Sequence, residues 1–466
     1  MALAGAGLAA HGTAVESAAA AHGDAWPMQR FDYGNTGYHP GGNDPTSLVL
    51  LTELQEFSPV IGEDYLFADG AVYVHDGETA EVTAVDLETG ERRWTNSPTD
   101  ARFIPEFVEG PLLVGRTIGG RLFALNRESG EVTVEVETDR GFGLGFGGSG
   151  EWFAPTMDGP VIAGQENADE FRWVGDTSGV GFRPAVDDER VYVATLEGVP
   201  EADLNLESPS RMDATGHLYA LDRSDGSVVW DVSRDGFGVR SVAVADGRVY
   251  WPAADGTLTA YDAASGDQQW QFEGMEGFNS EVAVAEGVVF AGNDDGRVYG
   301  VDAESGEEVG QIGIGERVRG APVVVDNTVY FGTEQNFAYA YSLDIGEIVW
   351  EFETAGRVRG ITVANDRVVV GTTESTLVLQ PADGSSDDGG DTGGGGSSGG
   401  GDIATGGDSS GDGSSGSDDG SGGSRGFLTN DPDSGLAFLN DPVSLTWAGI
   451  VVSIVGIVMQ LLGEQT

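Results

Sequence analysis

A turn followed by an aromatic residue returns along this chain at a nearly fixed interval, and the interval restricts the fold more than any other feature. The unit is an Asp, three residues, a Gly and an aromatic residue four positions later. It reads DLETGERRW at 86–94, DRSDGSVVW at 222–230 and DAASGDQQW at 262–270. Weaker copies occupy 126–134, 302–310 and 342–350, a degenerate copy lies near 170 with Trp173 at the aromatic position, and a final copy ends at Gly384. The repeat therefore has eight copies.

Each unit of the repeat contains four short runs with a period of two and no helical stripe, which indicates four β-strands. Gly and Asp tolerate positive φ, so DG, ADG and ASG between the runs favour tight turns. Four-stranded units of about 40 residues are typical of β-propeller blades. The sequence thus predicts an all-β fold, an eight-bladed propeller of antiparallel blades. The Asp–Gly stretch is the turn between the third and fourth strands, and the Trp fills the space between neighbouring blades.

The eighth unit lacks its own outer strand, because the chain after Gly384 enters a Gly- and Ser-rich stretch. LTELQEFSPV, at 51–60, has the pattern of the missing strand. We therefore expect the N-terminal strand to complete the last blade and to leave no open sheet edge.

The repeats resemble the PQQ-like β-propeller repeats of quinoprotein dehydrogenases and of the outer-membrane assembly lipoprotein BamB. The stretch WPMQRFDYGNTGYHP, at 26–40, also resembles the N-terminal signature of that family. The matching residues are Trp26, Pro27, Asp32, Thr36, Gly37 and Pro40. Because enzymes and non-enzymes share this repeat, the resemblance covers the fold of residues 26–384 and leaves the activity open.

The charge balance is strongly acidic. The formal net charge is −54, from 77 acidic and 23 basic residues, and every basic residue is an Arg. Acidic residues spread over a folded domain that has no Lys are typical of a halophilic protein, since high salt screens the repulsion between the negative charges. A nucleic-acid partner is not expected, because binding phosphates requires a basic face. The absence of cysteine excludes disulfides and thiolate sites.

Both ends of the chain differ in composition from the repeats. Residues 1–25 resemble either a signal remnant or a disordered tail. Residues 385–441 form a Gly/Ser/Asp-rich flexible linker. Residues 442–463 carry no charge and are long enough to span a membrane, so we expect one C-terminal transmembrane helix there. The family resemblance then implies that the propeller lies on the extracellular side of the cell membrane.

An Arg precedes the first strand of most blades, which lines the central channel of a propeller. Clustered guanidinium groups could bind carboxylate or phosphate at the channel mouth. Equally, each Arg could pair with an acid of the adjacent blade and hold the blades together. The five predicted ring arginines are Arg102, Arg183, Arg240, Arg319 and Arg359.

The fourth unit is longer than the others. Tyr192 and Asp222 are 30 residues apart, whereas the equivalent Tyr250 and Asp262 are 12 apart. The extra residues fall between the second and third strands, so the loop should emerge on the same face as the ring arginines. It is either part of a binding surface or an idle acidic loop.

Two functions remain open. The first is a non-catalytic binding or scaffold module, anchored in the membrane by the C-terminal helix, that takes a protein or an anionic ligand and needs no cofactor. The alternative is a PQQ-dependent dehydrogenase, for which the resemblance implies a bound calcium, a catalytic Asp and, in many members, adjacent cysteines. No cysteine is present, we locate neither the Asp nor a metal site, and we assign no catalytic residue.

Overall fold

The computed structural model describes the repeats and part of the segment before them. The described residues are 30, 32, 34–39, 48–54, 65–75, 81–101, 103–117, 119–137, 141–142, 147–149, 151–165, 171–198, 214–235, 241–364 and 366–381. No helix within these ranges is long and apolar enough to cross a membrane. The predicted tail 1–25, linker 385–441 and helix 442–463 lie outside them.

Every regular element of the described ranges is a β-strand, and the strands form eight sheets. Two strands precede the repeats: β1 (Tyr38–His39) and β2 (Leu48–Leu54). Blade 1 contains β3 (Leu66–Ala68), β4 (Ala71–His75), β5 (Val82–Asp86) and β6 (Arg92–Asn96). Blade 2 contains β7 (Phe103–Glu109), β8 (Leu112–Thr117), β9 (Arg121–Asn126) and β10 (Val132–Glu137). Blade 3 contains β11 (Gly147–Ser149), β12 (Glu151–Pro155), β13 (Val161–Gln165) and β14 (Trp173–Gly175).

Blade 4 has an interrupted first strand, because both β15 (Val180–Gly181) and β16 (Ala185–Val186) pair with the second strand. Its other strands are β17 (Arg190–Glu197), β18 (Thr215–Asp222) and β19 (Val228–Asp235). Blade 5 contains β20 (Ala243–Ala245), β21 (Arg248–Pro252), β22 (Thr257–Asp262) and β23 (Gln268–Glu273). Blade 6 contains β24 (Val282–Ala285), β25 (Val288–Gly292), β26 (Arg297–Asp302) and β27 (Glu308–Gly313).

The last two blades each include a strand from the N-terminal part of the chain. Blade 7 contains β28 (Val323–Val325), β29 (Thr328–Gly332), β30 (Phe337–Ser342) and β31 (Glu347–Glu353), with β1 parallel to β28. Blade 8 contains β32 (Val358–Ala364), β33 (Arg367–Thr372) and β34 (Thr376–Pro381), with β2 antiparallel to β34. The prediction of eight four-stranded antiparallel blades is confirmed.

The core lies between the blades. Separate buried clusters join each blade to the next from blade 1 to blade 7, and one larger cluster joins blades 7, 8 and 1. Two hydrogen bonds also join blade 8 to blade 1. Arg367 Nε of blade 8 donates to Leu87 O of blade 1 at 2.9 Å, and Tyr65 N, just before blade 1, donates to Thr362 Oγ1 of blade 8 at 2.9 Å.

The repeated motif forms the contact between neighbouring blades. In blade 5, Asp262 Oδ1 accepts the backbone N–H of Ser265 at 2.8 Å, which fixes the turn and lowers the pKa of that carboxyl. Gly266 follows with φ +77° and lies under Trp230 of blade 4. In four blades the indole N–H of the motif Trp donates to a turn carbonyl of the next blade: Trp94 to Arg127 at 2.7 Å, Trp173 to Arg223 at 3.0 Å, Trp230 to Ala263 at 3.0 Å and Trp270 to Ala303 at 3.1 Å. The predicted roles of the turn and of the Trp are confirmed.

Candidate functional site

The propeller has two unlike faces because strands alternate in direction within each blade. The turn face carries the Asp–Gly turns, such as 262–266. The loop face carries the loops into each first strand, such as 314–322, and the loops between second and third strands, such as 293–296. The extra loop of blade 4 connects β17 to β18 and so belongs to the loop face, although residues 199–213 lie outside the described ranges.

The described ring arginines lie on the loop face, two of them at irregular positions of the innermost strand and Arg319 in the loop before β28. Arg359 is the extra residue at a register shift between Val358 and Gly360 of β32. Arg183 lies in the break between β15 and β16. An irregularity of this kind turns a side chain away from the regular pleat. Arg102 and Arg240 lie outside the described residues.

Arg319 makes a two-pronged ion pair with the preceding blade. Its Nε and Nη2 lie 2.9 and 2.8 Å from the two carboxylate oxygens of Asp294, in the loop between β25 and β26. Asn279 Nδ2 donates to the same carboxylate at 3.0 Å. Paired donors of this geometry are among the stronger hydrogen bonds of proteins. The contact joins blade 7 to blade 6.

Glu334, in the loop between β29 and β30, lies between two guanidinium groups of blade 8. Its Oε1 is 3.2 Å from Arg359 Nη1, and its Oε2 is 3.1 Å from Arg357 Nη1. The Arg359 side chain is 6% exposed and that of Arg357 is 40% exposed. Arg357 was not among the predicted ring residues, although the sequence RVRG at 357–360 repeats that at 317–320.

Glu281, just before β24, also lies between two guanidinium groups. Its Oε2 is 3.4 Å from Arg183 Nη1 and 3.6 Å from Arg30 Nε. Arg183 belongs to blade 4 and Glu281 leads into blade 6, so this contact passes over blade 5. Thus Arg319 and Arg359 each contact an acid of the adjacent blade, as the blade-tie interpretation expects, whereas Arg183 contacts an acid two blades away. Binding of a ligand by them stays a prediction.

The described residues of the segment 30–39, which are 30, 32 and 34–39, lie in the central channel, a placement that sequence analysis did not predict. Arg30 is fully buried, and its Nη2 donates to Val282 O at 2.6 Å and to Pro322 O at 3.0 Å. Asp32 accepts the N–H and the hydroxyl of Thr36 at 2.9 and 2.5 Å. The glycines and Asn in this stretch predict turns, but no local signal shows which surface the turns contact.

Asp32, in this segment, is a carboxyl with a strongly perturbed pKa. Burial raises the pKa of Asp32 from 3.8 to about 6, because the ionised carboxylate loses its water. The hydrogen bonds from Thr36 and the charge of Arg30 lower the pKa and offset only part of that effect.

The described residues contain no group of three or more His, Asp or Glu side chains placed to hold a metal ion. Of the five His residues, none of which was predicted as a ligand, His217 contacts Glu197 at 3.1 Å and stacks on Tyr219.

A family profile described as "Outer membrane protein assembly factor BamB" matches residues 58–145 and 78–385. The chain belongs to this family of PQQ-like β-propellers. Searching the curated proteins found no match. Among solved structures, BamB from Moraxella catarrhalis is 17% identical with a TM-score of 0.53, covering 72% of this chain and 99% of that one.

Two further solved structures share the fold at low identity. A europium-containing methanol dehydrogenase is 13% identical with a TM-score of 0.62, covering 77% of this chain and 98% of that one. The computationally designed Ika8 protein is 14% identical with a TM-score of 0.61, covering 71% and 99% respectively. The family and these neighbours include an assembly factor and an enzyme, so they establish the fold and leave the activity open.

Proposed function

We propose that this protein is a membrane-anchored, extracytoplasmic propeller that acts as a non-catalytic binding or scaffold module. Its loop face binds a protein or an anionic ligand. The observation that carries the proposal is the arrangement on that face: Glu281 and Glu334 each lie between two guanidinium groups. Membership of a family described by an assembly factor supports the same role.

The arrangement matters because the chain as a whole is so acidic. Its 77 acidic residues repel an anionic ligand over most of the surface. Where two guanidinium groups share one carboxylate, the planar donor fork of Arg can donate to further carboxylate or phosphate oxygens. Arg357 is the most exposed of these side chains and is the first contact in this proposal.

The anchor, the linker and the ring closure belong to the same proposal. Residues 442–463 would hold the protein in the membrane, and residues 385–441 would give the propeller reach without fixed orientation. The antiparallel pairing of β2 with β34, in which Leu50 lies opposite Leu379, supports closure of blade 8 by the N-terminal strand. The acidic, Lys-free composition supports a halophilic setting.

The PQQ-dependent dehydrogenase is the second candidate because solved neighbours include such enzymes. The described residues do not fit the quinone well. Arg183, Arg319 and Arg359 direct their donors at Glu281, Asp294 and Glu334, and residues 30–39 lie in the channel. We therefore derive no step through the cofactor. Calcium-dependent dye reduction by purified protein supplied with PQQ would establish this candidate in place of the first.

The test of the binding role compares two faces of the propeller. Arg319→Ala with Arg359→Ala should weaken binding of citrate, a small polycarboxylate, and reduce the partners captured from native membranes at high salt. Arg93→Ala is the matched control, since Arg93 pairs with Asp86 at 2.8 Å on the turn face. Unchanged binding with a lowered melting temperature in the double variant would show that these arginines only tie the blades.

A further inference from the structure

The described residues of the segment 30–39 contact the innermost strands of four consecutive blades in the manner of a bound peptide. Four backbone carbonyls of this channel segment accept an N–H from the blades. The pairs are Gly34 O with Val244 N at 2.7 Å, Thr36 O with Val284 N at 2.8 Å, Gly37 O with Val324 N at 2.9 Å and His39 O with Asp326 N at 3.1 Å. One backbone hydrogen bond thus goes to each of blades 5 and 6, and two go to blade 7.

The segment adds a strand to the sheet of blade 7. β1 runs parallel to β28, with Tyr38 opposite Val324 and His39 opposite Val325. Addition of an extended segment to a sheet edge is a recurrent mode of peptide recognition, in which main-chain hydrogen bonds supply affinity and side chains supply specificity.

Two buried side chains of the segment each bridge a pair of neighbouring blades. Asn35 Nδ2 donates to Pro184 O of blade 4 at 2.9 Å and to Val242 O of blade 5 at 3.1 Å. Arg30 Nη2 donates to Val282 O in blade 6 and to Pro322 O just before blade 7. The acceptors are backbone carbonyls, so the blades supply this part of the site whatever their side chains are.

Two glycines limit which sequences fit. A Cβ on Gly34 would overlap Val244 O, and a Cβ on Gly37 would overlap the guanidinium of Arg30. Gly37 also has φ +60°, a left-handed conformation that other residues adopt at a cost. Tyr38 OH donates to Glu286 at 2.7 Å on the turn face, where the segment leaves the channel.

We propose that the channel edge of blades 4 to 7 is a peptide-binding site that the chain fills with its own residues 30–39. The ligand it recognises is a turn-forming segment with Arg, Asp, Gly-Asn-Thr-Gly and Tyr at the spacing of residues 30–38, in which Gly37 N donates to Arg30 O at 3.0 Å and the strand Tyr38–His39 follows the turn. The same segment supplied in trans, as a peptide or by a second copy of the chain, binds there in the same register. In the intact chain the tethered segment competes at an effective concentration on the order of mM, which excludes an added peptide.

The first experiment uses the full chain with a specific protease site inserted between residues 39 and 48, at 43–44. After cleavage at high salt, the N-terminal fragment should co-elute with the propeller and then exchange with a dye-labelled peptide of residues 26–40. The control is the same peptide carrying Arg30→Ala and Asn35→Ala. It should bind about tenfold or more weakly, because it lacks the buried hydrogen bonds to four carbonyls.

The second experiment leaves the chain uncut. Full-length protein carrying Arg30→Ala and Asn35→Ala should bind the labelled peptide of natural sequence, whereas the unmutated protein should not. Hydrogen exchange at the amides of Val244, Val284 and Val324 should quicken in this variant and slow again when the peptide is added.

Three results would overturn the proposal. One is a cleaved propeller that unfolds when its fragment leaves, which would make the segment an obligatory part of the core. Another is a cleaved fragment that never exchanges with the labelled peptide. The third is equal binding of the natural and doubly substituted peptides, which would show that the site does not recognise the Arg30 and Asn35 side chains. The citrate test varies Arg319 and Arg359 in the uncut chain and leaves Arg30 and Asn35 unchanged, so the two proposals can fail separately.

Discussion

Substitution of the turn glycine of blade 5, Gly266→Ala, tests whether the repeated motif joins the blades. Gly266 has φ +77°, and a Cβ there would lie 2.7 Å from Trp230 Cδ2. Trp230 is held from both sides, because it donates to Ala263 O at 3.0 Å and packs 5.9 Å from Tyr192, measured between ring centroids. The new methyl group and the indole cannot both keep their positions.

The expected loss of stability has two parts. A left-handed conformation costs a non-glycine residue about 1–2 kcal/mol. Overpacking against the indole costs about 1–3 kcal/mol more, and a net hydrogen bond of about 0.5–1.5 kcal/mol is lost if Trp230 moves away from Ala263. The free energy of unfolding should therefore fall by about 3–5 kcal/mol.

Gly247→Ala is the matched control in the same blade. Gly247 has φ +72°, but a Cβ there meets no atom within 4 Å, so only the backbone cost applies. Urea unfolding of both variants at one fixed high KCl concentration, followed by tryptophan fluorescence, should separate them by about 2–3 kcal/mol. Equal destabilisation by the two substitutions would refute the contact between turn and indole as a source of stability.

Three other perturbations follow from the same structure. Arg116→Met should lower the free energy of unfolding by about 3–5 kcal/mol, since the carboxylate of Glu106, 2.7 Å from Arg116 Nε, stays buried and loses the charge of that Arg. A loss under about 1 kcal/mol in urea unfolding would contradict this. Asp32 has a folded pKa of about 6, above its unfolded value of 3.8, so its contribution to stability is greatest at low pH and falls as pH rises from about 4 to 6. Asp32→Asn should remove that fall, so the difference in free energy of unfolding between the natural protein and the variant should change by about 3 kcal/mol across this pH range. A difference that stays constant with pH would refute the raised pKa. Because the protein has a net charge of −54, its melting temperature should rise between 0.1 M and 1 M KCl, as the screening length of self-repulsion shortens from about 10 to 3 Å. Equal melting temperatures at the two KCl concentrations would contradict this.

Sequence analysis found the ring arginines through their repeated position but could not find their partners. Arg319 pairs with Asp294, 25 residues away, and Arg183 pairs with Glu281, 98 residues away. In a chain with 77 acidic residues, any of many carboxylates could lie next to a given Arg. Only the path of the chain into each innermost strand, and the packing of the blades around the ring, selects the pair.

The eight blades, the turn between third and fourth strands and the place of the Trp followed from the sequence alone. These features depend on short-range chemistry: Asp262 caps its own turn, Gly266 supplies the left-handed residue, and alternating side chains set the strands. The placement of residues 30–39 followed only from tertiary structure. Arg30 and Asn35 bind carbonyls between 149 and 292 residues away, which come together only when the ring of blades is formed.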